Sequence, residues 1–133
     1  MAVTRAIKKG LNGLLNRAKR DQRILAVFLF GSIARGQAQE GSDTDICLVL
    51  RPRSYTPIQL SKIKLEYVQD FNQDVQIFQQ LPLYIRKRVL EDGKILYSTD
   101  TDRLYEVTFD FIREYADYEH IYRDYLGELS RAG

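Results

Sequence analysis

Apolar positions recur along the chain with two different periods, and these periods predict its helices and strands. Residues 23–30 (RILAVFLF) form one continuous apolar run, and residues 43–50 (DTDICLVL) form a second that opens with two aspartates. Short apolar runs of this kind are typical of buried strands. Before them, residues 3–20 place apolar side chains at helical spacing, namely Val3, Ile7, Leu11, Leu14, Leu15 and Ala18. We therefore predict an N-terminal helix over about 3–20, followed by two buried strands.

The middle of the chain carries a clear helix start. Thr56-Pro57-Ile58-Gln59 combines a threonine cap, a proline in the first turn and a glutamine at the capping-box position. A helix is therefore predicted from this point to about Phe71. The alternating residues 74–81 (DVQIFQQL) predict a third strand. Between the first two strands we expect a short helix over 32–38 and a polar loop over 39–42.

The remaining sequence predicts one more strand and two more helices. These are a helix over about 82–92 that opens at Pro82 and closes at Gly93, a short strand over 94–98 and a long helix over about 102–130. Strands and helices that alternate around a small sheet favour an α/β (α+β) fold, with a mixed sheet flanked by helices. Because no repeat or long linker interrupts the chain, we predict a single domain over 1–133 with its core at about 23–98.

The composition narrows the class of protein without identifying it. The 133 residues are 44% hydrophobic and 29% charged with a net charge of +2, which fits a soluble globular domain and does not require a nucleic-acid partner. Cys47 is the single cysteine, so we expect no intrachain disulfide, a buried thiol and a reduced, cytoplasmic setting. No apolar run approaches the length of a membrane span, and the single histidine, His120, excludes a multi-histidine metal site.

Gly31 and Ser32 directly follow the first predicted strand and form the first candidate site. Glycine allows a tight turn and the close approach of a phosphate, and a helix that follows presents its free amide groups and the positive end of its dipole. The Ser32 hydroxyl adds one more donor. Because Gly-Ser is also common in ordinary turns, this pair alone does not separate a phosphate site from a turn.

Asp43 and Asp45 open the second predicted strand. Residues two apart on a strand point to the same face, so the two carboxylates are expected side by side with Thr44 turned away. Adjacent like charges are costly unless a cation compensates them, and Mg²⁺ prefers oxygen ligands together with substrate phosphates. For an isolated pair of this kind, a solvated acidic turn is the alternative.

Asp74 opens the third predicted strand. If the second and third strands are neighbours, three carboxylates converge, which is the arrangement that a two-metal site for phosphoryl transfer needs. Asp74 can also accept a proton from an attacking hydroxyl. The alternative is an ordinary carboxylate at a strand edge, and Asp70 is a nearby competitor within the predicted helix end.

Together, Gly31-Ser32, ten intervening residues and Asp43-x-Asp45 resemble the GS-x10-DxD signature of the DNA polymerase β-like nucleotidyltransferase superfamily. The stretch GSIARGQAQEGSDTDICLVL is most similar to the minimal nucleotidyltransferases (MNT), which include MntA-type antitoxins encoded beside HEPN-domain toxins. Arg35-Gly36 and Ser42 belong to the same match. The resemblance covers about residues 23–81 in the order strand, GS turn, short helix, DxD strand, helix and Asp strand.

This resemblance implies a nucleotidyltransferase that uses ATP and Mg²⁺, in a two-metal site, to transfer AMP to an acceptor hydroxyl. The implied site residues are Gly31 and Ser32 at the terminal phosphates, Asp43 and Asp45 at the metals, and Asp74 as third carboxylate and base. Arg35 matches the arginine of the family pattern and is expected at a phosphate, with a solvated helix arginine as the alternative. The implied partner is a HEPN-family toxin, with no membrane and no direct nucleic-acid contact.

The last predicted helix carries a stripe of apolar residues. Because little sequence follows the predicted core to form a pocket for the acceptor of the nucleotide, we expect that acceptor to be a partner macromolecule. The stripe advances in alternating steps of four and three residues, as in a coiled coil, at Leu104, Thr108, Phe111, Tyr115, Tyr118, Tyr122, Tyr125 and Leu129. We expect the half up to Phe111 to pack on the domain. We expect the four tyrosines to contact a partner, because tyrosine suits a surface that is both apolar and wet.

Three functions remain open from the sequence. The first is AMP transfer to a partner HEPN toxin, with a tyrosine hydroxyl as the expected acceptor and neutralisation of the toxin as the result. The second is a binding antitoxin that acts by steric contact, and the third is a small-molecule nucleotidyltransferase. Arg113, His120 and Tyr122 also fit the R-x4-6-H-x-Y pattern of HEPN ribonucleases, but we interpret them as part of a helical charge cluster.

Overall fold

A computed structural model describes residues 2–30, 45–71 and 74–132, with side chains over 11–30, 45–71 and 74–128. Its elements are α1 (Ala2–Arg20), β1 (Ile24–Phe30), β2 (Asp45–Leu50), α2 (Pro57–Asp70), β3 (Asp74–Ile77), a 3-10 turn (Phe78–Gln80), α3 (Leu83–Asp92), β4 (Lys94–Ser98) and α4 (Thr101–Ala132). The predicted α/β class, with a mixed sheet and a long C-terminal helix, is confirmed. The short helix and polar loop predicted over 32–42 lie outside the described residues.

The four strands form one mixed sheet in the order β3-β2-β1-β4. β1 pairs antiparallel with both β2 and β4, whereas β2 and β3 run parallel. A parallel pair requires a crossover connection, which α2 provides. The sheet therefore has the starts of β2 and β3 at the same end as the finish of β1.

Both faces of the sheet are buried, which explains why β1 and β2 read as continuous apolar runs. One face packs against α1 and α2 through Leu14, Ile63 and Tyr67. The other face packs against α3 and the first turns of α4 through Val89 and Leu104. None of the described helices combines the length and the apolar character needed to cross a lipid bilayer.

Cys47 lies fully buried on the face covered by α3 and α4, as the sequence predicted for a small core residue. Burial raises the pKa of its thiol, because the thiolate loses its hydration in an apolar environment.

β3 is shorter than the strand predicted over 74–81, and that prediction is corrected at its C-terminal half. The side chain of Gln79 takes over the pairing of Leu50, the last residue of β2. Gln79 Nε2 donates to the Leu50 carbonyl at 2.9 Å, and the Leu50 amide donates to Gln79 Oε1 at 3.2 Å. Because a side-chain amide satisfies both backbone groups, the chain leaves the ladder after Ile77 and turns Phe78 into the core.

The capping box predicted at the start of α2 is present. The backbone amide of Gln59 donates to Thr56 Oγ1 at 3.1 Å, and the backbone amide of Thr56 donates to Gln59 Oε1 at 2.9 Å. Gly93 ends α3 as predicted, but not in the left-handed conformation typical of a helix-closing glycine, because its φ is −71°. Space requires glycine here instead, since a Cβ atom would lie 2.3 Å from the Val89 carbonyl oxygen.

Candidate active site

Two of the predicted carboxylates lie side by side at one end of the sheet. Asp45 is the first residue of β2, Asp74 is the first residue of β3, and the two are register partners in the parallel pair. Neighbouring strands lie about 4.7–4.9 Å apart, and register partners project from the same face. Asp45 is half-buried and Asp74 is exposed. The condition set from the sequence, that the second and third strands be neighbours, is therefore met.

The end of β1 reaches the same place. Phe30, the last residue of β1 and the residue before Gly31, is the antiparallel register partner of Asp45. One end of the sheet thus combines the finish of the first strand with the starts of the next two. The other predicted site residues lie outside the described part of the chain, and their roles stay predictions: Gly31, Ser32, Arg35 and Asp43.

Asp74 is held by a short chain of hydrogen bonds that reaches α2. Gln76, two residues further along β3 and on the same face, donates from Nε2 to Asp74 Oδ1 at 3.1 Å. Lys64 Nζ in turn donates to Gln76 Oε1 at 3.1 Å. The Lys64 bond fixes which end of the Gln76 amide faces the carboxylate, so the NH₂ group points to Asp74. These two positioning residues were not among those predicted from the sequence.

The sequence contains a pattern that indicates Gln76 but none that indicates Lys64. Gln76 could have been found from the sequence, because strand alternation places it on the same face as Asp74. Lys64 could not, because its approach to β3 depends on how α2 packs across the edge of the sheet. The hydrogen bonds order one carboxylate oxygen of Asp74 and leave the other, Oδ2, without a hydrogen bond from Gln76.

The side chains at this end of the sheet have the chemistry of a divalent-cation site. Asp45 and Asp74 provide the hard carboxylate oxygens that Mg²⁺ prefers, and a cation would relieve the repulsion between two adjacent negative charges. No cluster of three or more His, Cys, Asp or Glu side chains that could hold a metal occurs within the described residues, which do not include Asp43. The two described aspartates therefore fit a partial ligand set.

A carboxylate with a shifted pKa, Asp21, lies at the opposite end of β1. Asp21 accepts hydrogen bonds from Arg23 Nε at 2.9 Å and from the buried Tyr67 hydroxyl at 2.9 Å, and Arg23 also pairs with Glu66. Burial raises the pKa of Asp21, but the hydrogen bonds from Arg23 and Tyr67 outweigh it and hold the pKa below its ordinary value. β1 separates this cluster from Phe30 by about 20 Å at 3.3 Å per residue. We interpret the cluster as a structural link between α1, β1 and α2.

The first half of the apolar stripe of α4, up to Phe111, packs on the domain as the sequence predicted. Leu104 and Phe111 are buried against the domain. Tyr115 is half-buried, with Lys87 Nζ of α3 at 5.1 Å from its ring centroid. Tyr118, Tyr122 and Tyr125 are exposed by 47%, 50% and 56%. Their predicted contact with a partner stays a prediction, and the side chain of Leu129 lies outside the described residues.

Two of the residues that matched a ribonuclease pattern, Arg113 and His120, contact acidic side chains within α4. Arg113 pairs with Asp110, and His120 Nε2 lies 3.4 Å from Asp124 Oδ2. Both basic side chains are exposed and bonded to acids one turn away. This is the helical charge cluster that the sequence indicated.

Comparison with known proteins assigns the class of the fold, which is that of nucleotidyltransferases. The Polymerase beta nucleotidyltransferase family matches residues 12–102, from α1 to the start of α4. The chain belongs to this family.

Two similar proteins come from Methanocaldococcus jannaschii, and both are provisionally named protein adenylyltransferases. One is 29% identical over 102 residues, which cover 77% of this chain and 78% of the relative. The other is 36% identical over 102 residues, which cover 73% of this chain and the whole of the relative. At this identity and coverage, this chain and the second relative belong to one family.

Solved structures share the fold at low sequence identity. A toxin–antitoxin structure with AMP-PNP has a TM-score of 0.63 at 18% identity, covering 86% of this chain and 94% of the other. A structure of tri-AMPylated HEPN toxin in complex with MNT antitoxin, from Shewanella oneidensis, has a TM-score of 0.55 at 17% identity, covering 86% and 87%. These likenesses establish a common fold with the predicted MNT class.

Proposed function

We propose that this protein transfers AMP from ATP to a tyrosine hydroxyl of a HEPN-family partner and thereby neutralises it. The observation that carries the proposal is the register pairing of Asp45 with Asp74 at the end of the sheet where β1 runs into Gly31-Ser32. Membership of the nucleotidyltransferase family supports the reaction class. The provisional names of the two archaeal relatives support a protein as acceptor.

In the proposed reaction the acceptor oxygen attacks the α-phosphorus of ATP. A new oxygen–phosphorus bond forms, the bond from the α-phosphorus to the bridging oxygen breaks, and pyrophosphate leaves. The proton of the acceptor hydroxyl passes to the carboxylate of Asp74, whose Oδ1 is already occupied by Gln76 and whose Oδ2 is left to act as base. Mg²⁺, when bound, would spread the negative charge that develops on the phosphates.

The chain's own residues then have distinct roles. The proposed metal ligands are Asp43, Asp45 and Asp74, and the proposed phosphate-binding residues are Gly31, Ser32 and Arg35. The half-buried position of Asp45 suits a ligand that stays fixed through the reaction, whereas the exposed position of Asp74 suits a group that meets an incoming hydroxyl. Lys64 and Gln76 position Asp74 and do not touch the reacting atoms.

The HEPN partner rests on a separate argument. A solved structure of the same fold, from Shewanella oneidensis, is of an AMPylated HEPN toxin in complex with an MNT antitoxin. In this chain, the exposed tyrosines of α4 provide a large apolar surface beyond the domain. Exposed apolar patches of this kind mark interaction sites.

The test is transfer of label from α-³²P-ATP, with Mg²⁺, to a co-purified HEPN-family partner. We expect labelled partner with the native chain, and a loss of more than about a hundredfold with Asp45→Asn or Asp74→Asn, because metal ligands matter at least as much as the groups that orient them. Asp92→Asn is the matched control, since Asp92 is an exposed acid at the end of α3. Unlabelled partner in the presence of an active control enzyme would contradict the proposal.

The same variants separate the alternative functions. If Asp45→Asn still neutralises the partner at stoichiometric dose, steric binding is sufficient and catalysis is not the means of neutralisation. If label instead appears on hydroxylated small molecules without any partner, the acceptor class is wrong. Omission of Mg²⁺ with added EDTA is expected to abolish transfer in either catalytic case.

A further inference from the structure

The second half of α4 carries an exposed apolar surface, which we call the α4 outer face. Its residues are Tyr118, Ile121, Tyr122, Tyr125 and Leu126, each between 44% and 67% exposed. Beyond Tyr115, the hydrogen bonds, ion pairs and ring contacts of the described side chains all join residues within α4. From Ala116 to Ala132 the helix extends about 25 Å at 1.5 Å per residue. This part of α4 therefore has an apolar face that the described chain does not cover.

The outer face continues a packed row of rings that begins in the core. Phe111 lies 6.3 Å from Phe78 of the core and 5.8 Å from Tyr115, measured between ring centroids. Tyr115 contacts Tyr118 at 6.2 Å, and Tyr118 stacks on Tyr122 at 6.1 Å with an angle of 8° between the planes. Each ring from Phe111 to Tyr122 contacts the next, so the exposed Tyr118 and Tyr122 continue the packed row outward from the core.

The spacing of the rings along α4 fits a helical partner. The steps of four and three residues keep the row on one side of α4 over several turns, which is the geometry into which the side chains of a second helix insert. Ile121 and Leu126 widen the row on both sides, at the two positions that border a coiled-coil seam. A helix with its own apolar stripe fits this surface.

The charges beside the outer face indicate the charge of the partner. Asp110, Asp117 and Asp124 recur every seven residues and form an acidic row that borders the outer face beyond Ile121, on the side of that residue away from the tyrosines. Asp110 pairs with Arg113, and Asp124 lies 3.4 Å from the His120 imidazole. Asp117 has no ion pair among the described residues, and Glu128, one turn beyond Asp124, continues the acidic flank without one. A partner with lysine or arginine along the facing flank would be complementary.

The glutamates beside the seam of α4 oppose pairing with a second copy of this chain. In a parallel pair of α4 helices, the positions beside the seam would set Glu114, which also pairs with Arg86, against Glu119 of the second copy, which also pairs with Arg123. In an antiparallel pair, the flank that carries Glu114 and Glu128 would face its own equivalent. Like charges in both arrangements disfavour self-association, which is how coiled coils exclude a wrong partner.

We propose that the α4 outer face docks an amphipathic helix of a different chain, with an apolar stripe and with lysine or arginine along the flank that meets the acidic row. The inference rests on the proposed function only in taking that chain to be the protein that receives AMP. Docking along α4 would hold the acceptor chain on the same domain as Asp45 and Asp74, and so raise its local concentration at the site.

The direct test uses two synthetic three-heptad helices with the same leucine stripe, one flanked by lysine and one by glutamate. We expect the full chain to bind the lysine peptide at least tenfold more tightly at low salt, and the preference to shrink as salt is added. Asp117→Lys with Asp124→Lys should remove the preference, whereas Glu106→Lys, on the side of α4 opposite the seam, should keep it. Equal binding of both peptides, or binding of neither, would overturn the inference.

The second test separates docking from catalysis with the HEPN-family partner itself. Tyr118→Ser with Tyr122→Ser should weaken the complex at least tenfold while thermal unfolding stays unchanged, because both side chains are exposed. Asp45→Asn should leave the complex intact and abolish AMP transfer. If the tyrosine variant binds normally, the docking site is wrong even where AMP transfer occurs. If the tyrosine variant loses binding but the native chain transfers no AMP, docking stands and the proposed function fails.

Discussion

Asp45 and Asp74 are register partners across the parallel pair of the described sheet, and each is the first residue of its strand. This pairing depends on the crossover through α2, because a parallel neighbour cannot be reached by a tight turn. α2 also supplies Lys64, which orients Gln76 beside Asp74. The connection that brings the two aspartates together is thus the element that holds one of them in place.

The first prediction concerns Gln76. Replacement by Leu removes the donor to Asp74 Oδ1 while keeping the size of the side chain, so the carboxylate loses its fixed orientation. We expect kcat for nucleotidyl transfer to fall by about tenfold or more, as is usual when an orienting partner of a ligand is removed. The KM for ATP should change little, because Gln76 does not reach the phosphates in the proposed site. Steady-state kinetics at several Mg²⁺ concentrations measure both constants.

The matched control for this prediction is Gln80→Leu. Gln80 is an exposed glutamine on the 3-10 turn, and its Nε2 lies 3.4 Å from Ser61 Oγ, away from both aspartates. We expect its kinetics to match those of the native chain. Lys64→Met should reproduce part of the Gln76 effect, since it frees the amide to flip. A Gln76→Leu enzyme with native kcat would show that Asp74 needs no orienting partner.

The second prediction concerns the pH dependence of stability. Hydrogen bonds from Arg23 and Tyr67 outweigh burial and hold the pKa of Asp21 below its ordinary value of 3.8. A group whose pKa is lower in the folded state stabilises the fold above its unfolded pKa, and that contribution disappears as the pH falls through the folded pKa. We expect the free energy of unfolding to decrease below about pH 4 and the decrease to be smaller in Asp21→Asn.

Urea unfolding from pH 2 to pH 7 measures this dependence. At pH 7, Asp21→Asn should lose about 1–3 kcal/mol, because Arg23 and the buried Tyr67 hydroxyl keep only weaker partners. Asp92→Asn, at an exposed position, is the control and should follow the native curve. Parallel curves for the native chain and Asp21→Asn over the whole range would exclude Asp21 as the source.

The sequence predicted most of the fold because both faces of the sheet are buried. β1 and β2 read as unbroken apolar runs, and Thr56 with Gln59 marked the start of α2 through a purely local pair of hydrogen bonds. Signals of this kind depend on neighbours in the sequence. Asp43 and Asp45 were proposed in the same way, from a spacing that a resemblance to a family made specific, and Asp74 was proposed from its place at the start of a predicted strand.

The parts that the sequence did not predict depend on contacts between distant residues. The early end of β3 follows from Gln79 bonding to Leu50, 29 positions away in the chain. An alternating pattern over 74–81 does not reveal that a side chain will replace the backbone in the ladder. Lys64 was not identified for the same reason, since its bond to Gln76 exists only once α2 packs beside β3.

A third prediction concerns the reactivity of Cys47. Its side chain is fully buried, and burial raises the pKa of the thiol, so very little thiolate is present and no reagent reaches it. We expect no labelling by iodoacetamide in the native protein at pH 8. Labelling should appear in guanidinium chloride over the same concentration range as the loss of helical circular dichroism. Fast labelling of the folded chain would contradict the packing of β2 in the core.

A fourth prediction concerns Gly93 at the end of α3. A methyl group there would lie 2.3 Å from the Val89 carbonyl oxygen of α3 and 3.3 Å from Cδ1 of Phe28 in β1, so the backbone at Gly93 must shift relative to the last turn of α3. We expect Gly93→Ala to lower the free energy of unfolding by about 1–3 kcal/mol, as overpacking of a tight site does. Chemical denaturation with an unchanged m-value would measure this loss, and native stability would show that α3 can shift freely.

The last prediction uses Gly127, the glycine in the outer part of α4, where the same substitution should act in the opposite direction. No described atom lies within 4 Å of the position of an added Cβ, so Gly127→Ala meets no obstacle. Alanine favours a helix over glycine by about 0.5–1 kcal/mol, which should slow amide hydrogen exchange over 118–128 by about two- to fivefold. If a partner helix docks on the α4 outer face, it binds a helix that is already ordered, so its affinity should also rise by up to that factor. Unchanged exchange would mean that α4 is fully formed to its end without the substitution, and a weaker complex would place Gly127 within the contact.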